Sequence, residues 1–182
     1  MTTFPADLLT YSQNKTRVLI YTSQPAVSQL TVQVLEFYHK DFDFFSNNGF
    51  SKREDHDFVV FETSRLEEAA AFKPNIVLVS EEIDLQTADG LLQNITPGGV
   101  LIYSEKFDNV VESSTNFFRK LPFALSNFQK DNTQITLSTE MGSIPLTSGN
   151  EDLIRNLDGI KLLCQQFGIM EEEFYEPVMS FA

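Results

Sequence analysis

Arg17-Val-Leu-Ile-Tyr21 followed by Thr22-Ser-Gln-Pro-Ala-Val-Ser-Gln29 reads as a buried strand turning into a helix, the place where an ATP-binding α/β protein cradles phosphate. A phosphate-cradling loop needs glycines so that backbone N–H groups can close around the oxygens. It also needs a lysine to neutralise them and a Ser or Thr to hold magnesium. This turn contains no glycine and no lysine, and of that set it keeps at most Ser28. A helix beginning near Pro25 still offers unpaired N–H groups and a positive dipole end to an anion, so Thr22, Ser23 and Ser28 are weak anion or nucleotide candidates. Pro25 contributes no N–H, and each lost charge-assisted hydrogen bond removes roughly 1.5–3 kcal/mol. Loss of the lysine and one further contact costs about 3–6 kcal/mol, on the order of 10²- to 10⁴-fold in affinity. Phosphoryl transfer depends almost wholly on positioned positive charge, so catalysis suffers more than binding.

Short apolar runs alternate along the chain with longer segments of helical period, which predicts an α/β fold with a mainly parallel, Rossmann-like sheet of the phosphate-loop (P-loop) type. The predicted strands are Arg17–Tyr21, Phe42–Phe45, Phe58–Phe61, Ile76–Val79 and Val100–Tyr103. The first helix opens at Pro25, a residue suited to a first helical turn, with Ser23 or Gln24 as cap. Its stripe Val27, Leu30, Val34, Phe37 turns one face to the sheet. Pro97-Gly98-Gly99 punctuates the chain before the fifth strand, and a helix is expected over Asp108–Lys120. Ile135–Thr139 and Ser143–Thr147 alternate around Glu140-Met141-Gly142, the pattern of a small β-hairpin. Leu153, Leu157, Ile160, Cys164 and Phe167 then define one amphipathic helix stopped by Gly168. Cys164 lies on its apolar stripe, which makes it a buried structural thiol rather than a nucleophile.

A chain of 182 residues fits one domain. That length suffices to bury roughly 70% of the surface its unfolded form exposes. Seventeen phenylalanines and no tryptophan describe a core built on rings without a polar atom to satisfy. Apolar runs stop at four or five residues, far short of the roughly 20 that span a bilayer. Met1 to Thr10 contains Asp7 and no basic residue, unlike a signal peptide. One cysteine permits no internal disulfide, and a cytoplasmic location is the expectation. The net charge of −13 argues against nucleic acid, anionic membranes and unaided polyphosphate binding. Glu81-Glu82-Ile83-Asp84 and Glu171-Glu172-Glu173 read as solvated faces, and His39 and His56, the two histidines, as surface residues. No metal site and no cofactor are expected, and no catalytic residue is assigned.

Ile95-Thr-Pro-Gly-Gly-Val-Leu-Ile-Tyr103, the hairpin ending in Ile144-Pro-Leu146, Asn156-Leu-Asp-Gly-Ile-Lys161, Phe167-Gly-Ile169, Glu173-Phe-Tyr175 and Ser180-Phe181 occur in an order that resembles the bacterial Mur ligases. These ATP-dependent enzymes join amino acids or peptides to UDP-N-acetylmuramate. Within the family the stretch is most similar to the UDP-N-acetylmuramate:tripeptide ligase of peptidoglycan recycling. The match from Arg17 to Ser80 rests on strand and helix placement. The resemblance implies the central ATPase domain of a three-domain ligase, standing alone over residues 1–182, with the UDP-binding first domain and the C-terminal ligase domain absent.

Several family positions are emptied. The loop Gly-x-x-Gly-Lys-[Ser/Thr]-[Ser/Thr] maps to Tyr21–Ser28 without its glycines or lysine. Glu62, in Phe61-Glu-Thr63, sits where the resemblance implies a magnesium-supporting Glu, though a polar strand end accounts for it equally. Ser80-Glu-Glu-Ile-Asp-Leu85 replaces an Asn-x-Asp-x-Asp-His segment, and the region behind it is shortened. Asn156 stands alone where the family pairs His with Asn near the nucleotide. Pro177 interrupts a segment that is uninterrupted helix in the relatives.

The functional expectation is a non-catalytic Mur-ligase-like domain, a pseudoenzyme with a binding or regulatory role around cell-wall precursor metabolism. One alternative is an interaction module that self-associates or pairs with an active ligase, for which Phe42, Phe44, Phe45 and Phe50 around Asn47-Asn48-Gly49 are surface candidates. Another is weak nucleotide binding without ligation. The protein partner is unspecified in either case.

Overall fold

The computed structural model describes residues 6–47 and 50–182. The first five residues of the N-terminal segment, and Asn48-Gly49 of the predicted turn, lie outside that range. In chain order the first elements are α1 (Ala6–Ser12), β1 (Thr16–Tyr21), α2 (Pro25–Phe37), β2 (Asp43–Ser46), β3 (Ser51–Lys52), β4 (Phe58–Thr63) and α3 (Leu66–Phe72). Then come β5 (Ile76–Val79), α4 (Asp89–Asn94), β6 (Gly99–Ser104), α5 (Asp108–Glu112), β7 (Phe118–Phe123) and β8 (Phe128–Asp131). The last are β9 (Gln134–Thr139), β10 (Gly142–Leu146), α6 (Glu151–Arg155), α7 (Leu157–Gln165) and α8 (Glu171–Ser180). These residues divide into two compact units, one running to Ser23 and resuming over Asp41–Pro122, the other made of Gln24–Lys40 and Phe123–Ala182.

The first unit is built on a seven-stranded sheet in the order β3-β2-β4-β1-β5-β6-β7. β1 pairs in parallel with β4 and β5, β2 with β4, and β5 with β6, while the short β3 runs antiparallel to β2. β-Branched and aromatic residues make these strands because they pack well on a pleated, buried surface. Alternation puts Leu19, Tyr21, Val59, Phe61, Val77, Val79, Leu101 and Tyr103 in one core with Phe72, Leu91, Leu92 and Val111. The intervening Val18, Ile20, Val60, Leu78 and Ile102 are buried too, as continuous apolar runs of parallel strands require.

In the second unit α2 packs with α7 and α8, and α8 packs with β10 of a separate sheet in the order β10-β9-β8. The predicted hairpin is present: Thr139 pairs with Gly142, so Glu140-Met141 form a two-residue turn. β8 was not predicted, because Phe128–Asp131 carries one apolar residue and no alternation; it takes its place through the register Phe128 to Leu137.

Three expectations are corrected. The helix predicted over Asp108–Lys120 ends at Glu112, and Phe118 already belongs to β7. Ser113-Ser114-Thr115-Asn116 follows, residues whose side chains compete with helical backbone bonds. Asn116 Nδ2 donates instead to Leu92 O and Ile95 O, each at 2.8 Å, closing the end of α4. The helix expected from Leu153 to Phe167 is two helices meeting at Asn156, whose Nδ2 donates to Asp152 O at 3.0 Å. The apolar stripe survives the break: Leu153, Leu157, Ile160 and Cys164 are all buried.

Pro177, expected to interrupt a helix, sits inside the ten-residue α8 without ending it. A proline at this position leaves the carbonyl of residue 173 without its helical donor. Tyr38, just past the end of α2, supplies one, its hydroxyl donating to Glu173 O at 2.5 Å, and Gln33 Nε2 donates to Pro177 O at 3.3 Å. Tyr38→Phe should therefore destabilise the protein by about 1 kcal/mol. Urea denaturation should show that penalty shrinking in a Pro177→Ala background, where residue 177 regains its own N–H. Equal penalties in both backgrounds would refute the assignment.

Candidate functional site: an oxyanion turn at the sheet switch point

In an open α/β sheet, ligands bind outside the carboxyl ends of the strands, where the connections leave in opposite directions. Here the chain leaves β1 toward β2 and β4 on one side, and leaves β5 toward β6 on the other. The crevice lies between the ends of β1 and β5, lined by Thr22 and Ser23 after Tyr21 and by Ser80 to Glu82 after Val79. Backbone bonds hold the two ends in register: Thr22 N donates to Thr63 O at 3.1 Å, and Ser80 N to Tyr21 O at 3.0 Å.

Four donors converge on one oxygen at this place. Glu82 Oε1 accepts from Thr22 Oγ1 at 3.0 Å, from Ser23 N at 2.9 Å, from Ser23 Oγ at 3.1 Å and from Ser80 Oγ at 2.5 Å. Thr22 and Ser80 are buried, whereas Ser23 and Glu82 are exposed, so the carboxylate lies over the turn from the solvent side. Partial withdrawal from water raises the affinity of Glu82 for a proton. The hydrogen bonds from Ser80, the backbone and Thr22 outweigh that and hold the carboxyl below its usual range. At neutral pH the turn therefore holds an anion that belongs to the chain itself.

The arrangement resembles an oxyanion hole in chemistry, with three hydroxyls and one amide around a negative oxygen. A cation just past β6 is paired with a neighbour of Glu82: Lys106 Nζ lies 2.6 Å from Glu81 Oε1. Among the described residues no group of three or more His, Cys, Asp and Glu is placed to hold a metal ion.

Of the residues singled out from the sequence, Thr22 and Ser23 come together on Glu82. Glu62 lies in β4 with Ile20 and Ser46 beside it in register, one residue before the strand ends, and is buried. Ser28 lies in α2, where its Oγ donates to Pro25 O at 3.0 Å, and Asn156 joins α6 to α7; both belong to the other unit. Sequence reading missed Glu82 and Ser80. The acidic run around Glu82 reads as a solvated face, and the structure corrects this for Glu82, whose Oε1 is bound. The available signal was a Ser-Glu-Glu run directly after a buried parallel strand.

Other expectations resolve simply. His39 is exposed, but His56 is half-buried, with Nδ1 3.1 Å from Oδ1 of the buried Asp43. Phe42 and Phe44 belong to the core and Phe45 is half-buried, leaving Phe50 as the exposed member of that group. Cys164 is fully buried, and burial pushes its thiol well above the ordinary range, so it is no nucleophile at neutral pH.

The second unit contains a cavity of about 290 Å³ lined in part by Leu137, Asp158, Lys161, Glu171 and Tyr175. Lys161 Nζ lies 2.8 Å from Glu171 Oε1 and 3.5 Å from Asp158 Oδ1. Its charge is thereby committed to carboxylates of its own chain. No helix among the described residues is long and apolar enough to cross a membrane.

The fold is a mainly parallel α/β sheet flanked by helices with a small antiparallel sheet beside it, an architecture shared with the Mur ligases. MurF from Acinetobacter baumannii superimposes with a TM-score of 0.73 at 12% identity, over 96% of this chain and 48% of that one. A murein peptide ligase from Psychrobacter arcticus gives 0.68 at 11% identity, over 93% and 48%. MurF from Thermotoga maritima, solved in complex with ADP, gives 0.63 at 10% identity, over 98% and 53%. The chain spans about half the length of these ligases, and at such identities the likeness is one of fold. No family model and no curated protein matches the sequence.

Proposed function

We infer that this protein is a non-catalytic Mur-ligase-like domain with a binding or regulatory role in cell-wall precursor metabolism. The observation that carries the reading is the occupation of the switch-point turn by Glu82 Oε1, which takes the donors a nucleotide phosphate would need. The turn has only Thr22-Ser23-Gln24 between β1 and α2, with no glycine to free the backbone and no lysine to add charge. A net charge of −13 further opposes a triphosphate. The link to cell-wall precursors is supported by the Mur-ligase-like fold and by the order of motifs from Ile95 to Phe181.

Calorimetric titration of the protein with ATP and ADP in magnesium should give no saturable heat, and phosphate release from ATP should equal that of buffer. Saturable binding together with ATP turnover would overturn the reading. Specific retention of a UDP-muramyl compound without turnover would support the binding role.

A further inference from the structure

We propose that Glu82 is a resident anion, its carboxylate filling a preorganised oxyanion site that Thr22, Ser23 and Ser80 would otherwise offer to an external phosphate or sulfate oxygen. The proposal deepens the non-catalytic reading and rests on it for the view that no nucleotide normally competes for the turn.

The donors come from two separate loops, following β1 and β5, which are adjacent strands pinned by backbone bonds on both sides of the crevice. Their convergence therefore does not depend on Glu82 alone. Thr22 and Ser80 are buried at the strand ends, and Ser80 Oγ also lies 3.3 Å from Tyr21 O of the neighbouring strand, so backbone packing rather than Glu82 keeps both residues at the crevice. Glu82 is different: its side chain is exposed and enters from solvent, so a rotamer change withdraws it without opening the core.

Competition explains why the site would stay closed in the native chain. A tethered group acts at an effective concentration of about millimolar or higher, and a side chain already seated in its site lies at the upper end. An outside phosphate must displace it while approaching a protein of strongly negative net charge. Removing the carboxylate lifts both the competition and one nearby negative charge, and returns to solvent the Ser23 amide and the hydroxyls that now converge on Glu82 Oε1.

The test is titration of the whole chain with inorganic phosphate, at constant ionic strength set by chloride, following backbone amide resonances of Ser23 and Ser80. Glu82→Ala should show saturable shifts at both amides, with an affinity at least about tenfold above that of the native protein. Glu82→Gln keeps the shape of the side chain without its charge and should bind phosphate with intermediate affinity. A folded Glu82→Ala protein with no saturable shift at Ser23 would overturn the proposal, as would native protein binding phosphate equally well. Should Glu82→Ala not fold, Glu82→Gln decides alone, and phosphate affinity no higher than native would count as refutation. ATP turnover by the native protein would remove the non-catalytic reading without deciding the phosphate comparison, so the two failures can be told apart.

Discussion

Asp43→Ala should destabilise the protein by about 3–5 kcal/mol at neutral pH, the cost of breaking a buried charged network. Asp43 has no accessible surface. Its carboxylate accepts from the Tyr11 hydroxyl, from Glu54 N at 2.9 Å and from His56 N at 3.4 Å, with His56 Nδ1 3.1 Å away. Truncation leaves those groups facing an apolar gap, and each orphaned donor costs about 1–3 kcal/mol. Burial by itself would raise the affinity of Asp43 for a proton. The bonds from Tyr11, Glu54 and His56 overcome that and hold the carboxyl below its usual range.

A lowered folded-state pKa means that the carboxylate stabilises the fold above the unfolded value of about 3.9 and that this contribution is lost as pH falls through the folded value. The difference between native and Asp43→Asn proteins should be largest at pH 6–7 and should narrow steadily below about pH 4. Chemical denaturation at a series of pH values measures it. A gap independent of pH would show that packing, not charge, is what Asp43 contributes.

Gly99→Ala should cost about 3 kcal/mol or more, since added volume in a packed place forces the surroundings to move. A Cβ on Gly99 would stand 2.5 Å from Asn75 O and 2.8 Å from Thr96 O. Both are backbone atoms in use: Asn75 O accepts from Val100 N and Thr96 O from Gly99 N, each at 2.8 Å. Relief therefore requires breaking the entry of β6 into the sheet. The neighbouring Gly98 makes a sharp control. It has φ +83 and open space around its Cβ position, so Gly98→Ala meets strain but no clash, worth about 1–2 kcal/mol. Urea midpoints should rank native above Gly98→Ala above Gly99→Ala, and a reversed order would refute the contact argument.

Much of the fold was legible locally. The five predicted strands all occur, Ile76–Val79 with the bounds read and the other four shifted or extended by one or two residues, because continuous Val, Ile, Leu and Phe runs have few other uses in a chain of this kind. The first helix begins at Pro25 as read, although its Gln24 cap makes no side-chain bond. Two of the corrections fall where a polar side chain makes a distant bond that local pattern does not record. Asn116 reaches the end of α4, and Tyr38 rescues the carbonyl that Pro177 strands. The site was half legible: Thr22 and Ser23 could be singled out by their place after β1, whereas Glu82 looked like any charged loop residue.

Sequence alone determined the buried strands, the helical stripes and the chemistry missing from the turn, since these depend on residue type and on spacings within one element. What the tertiary structure decided was the occupant of that turn. Glu82 lies 60 residues from Thr22 and 59 from Ser23 along the chain. They meet because β5 pairs beside β1 rather than beside β4, its predecessor in sequence. Strand order is settled by the packing of the whole sheet, so the partner of a loop at its edge is a property of the fold and of no shorter stretch of chain.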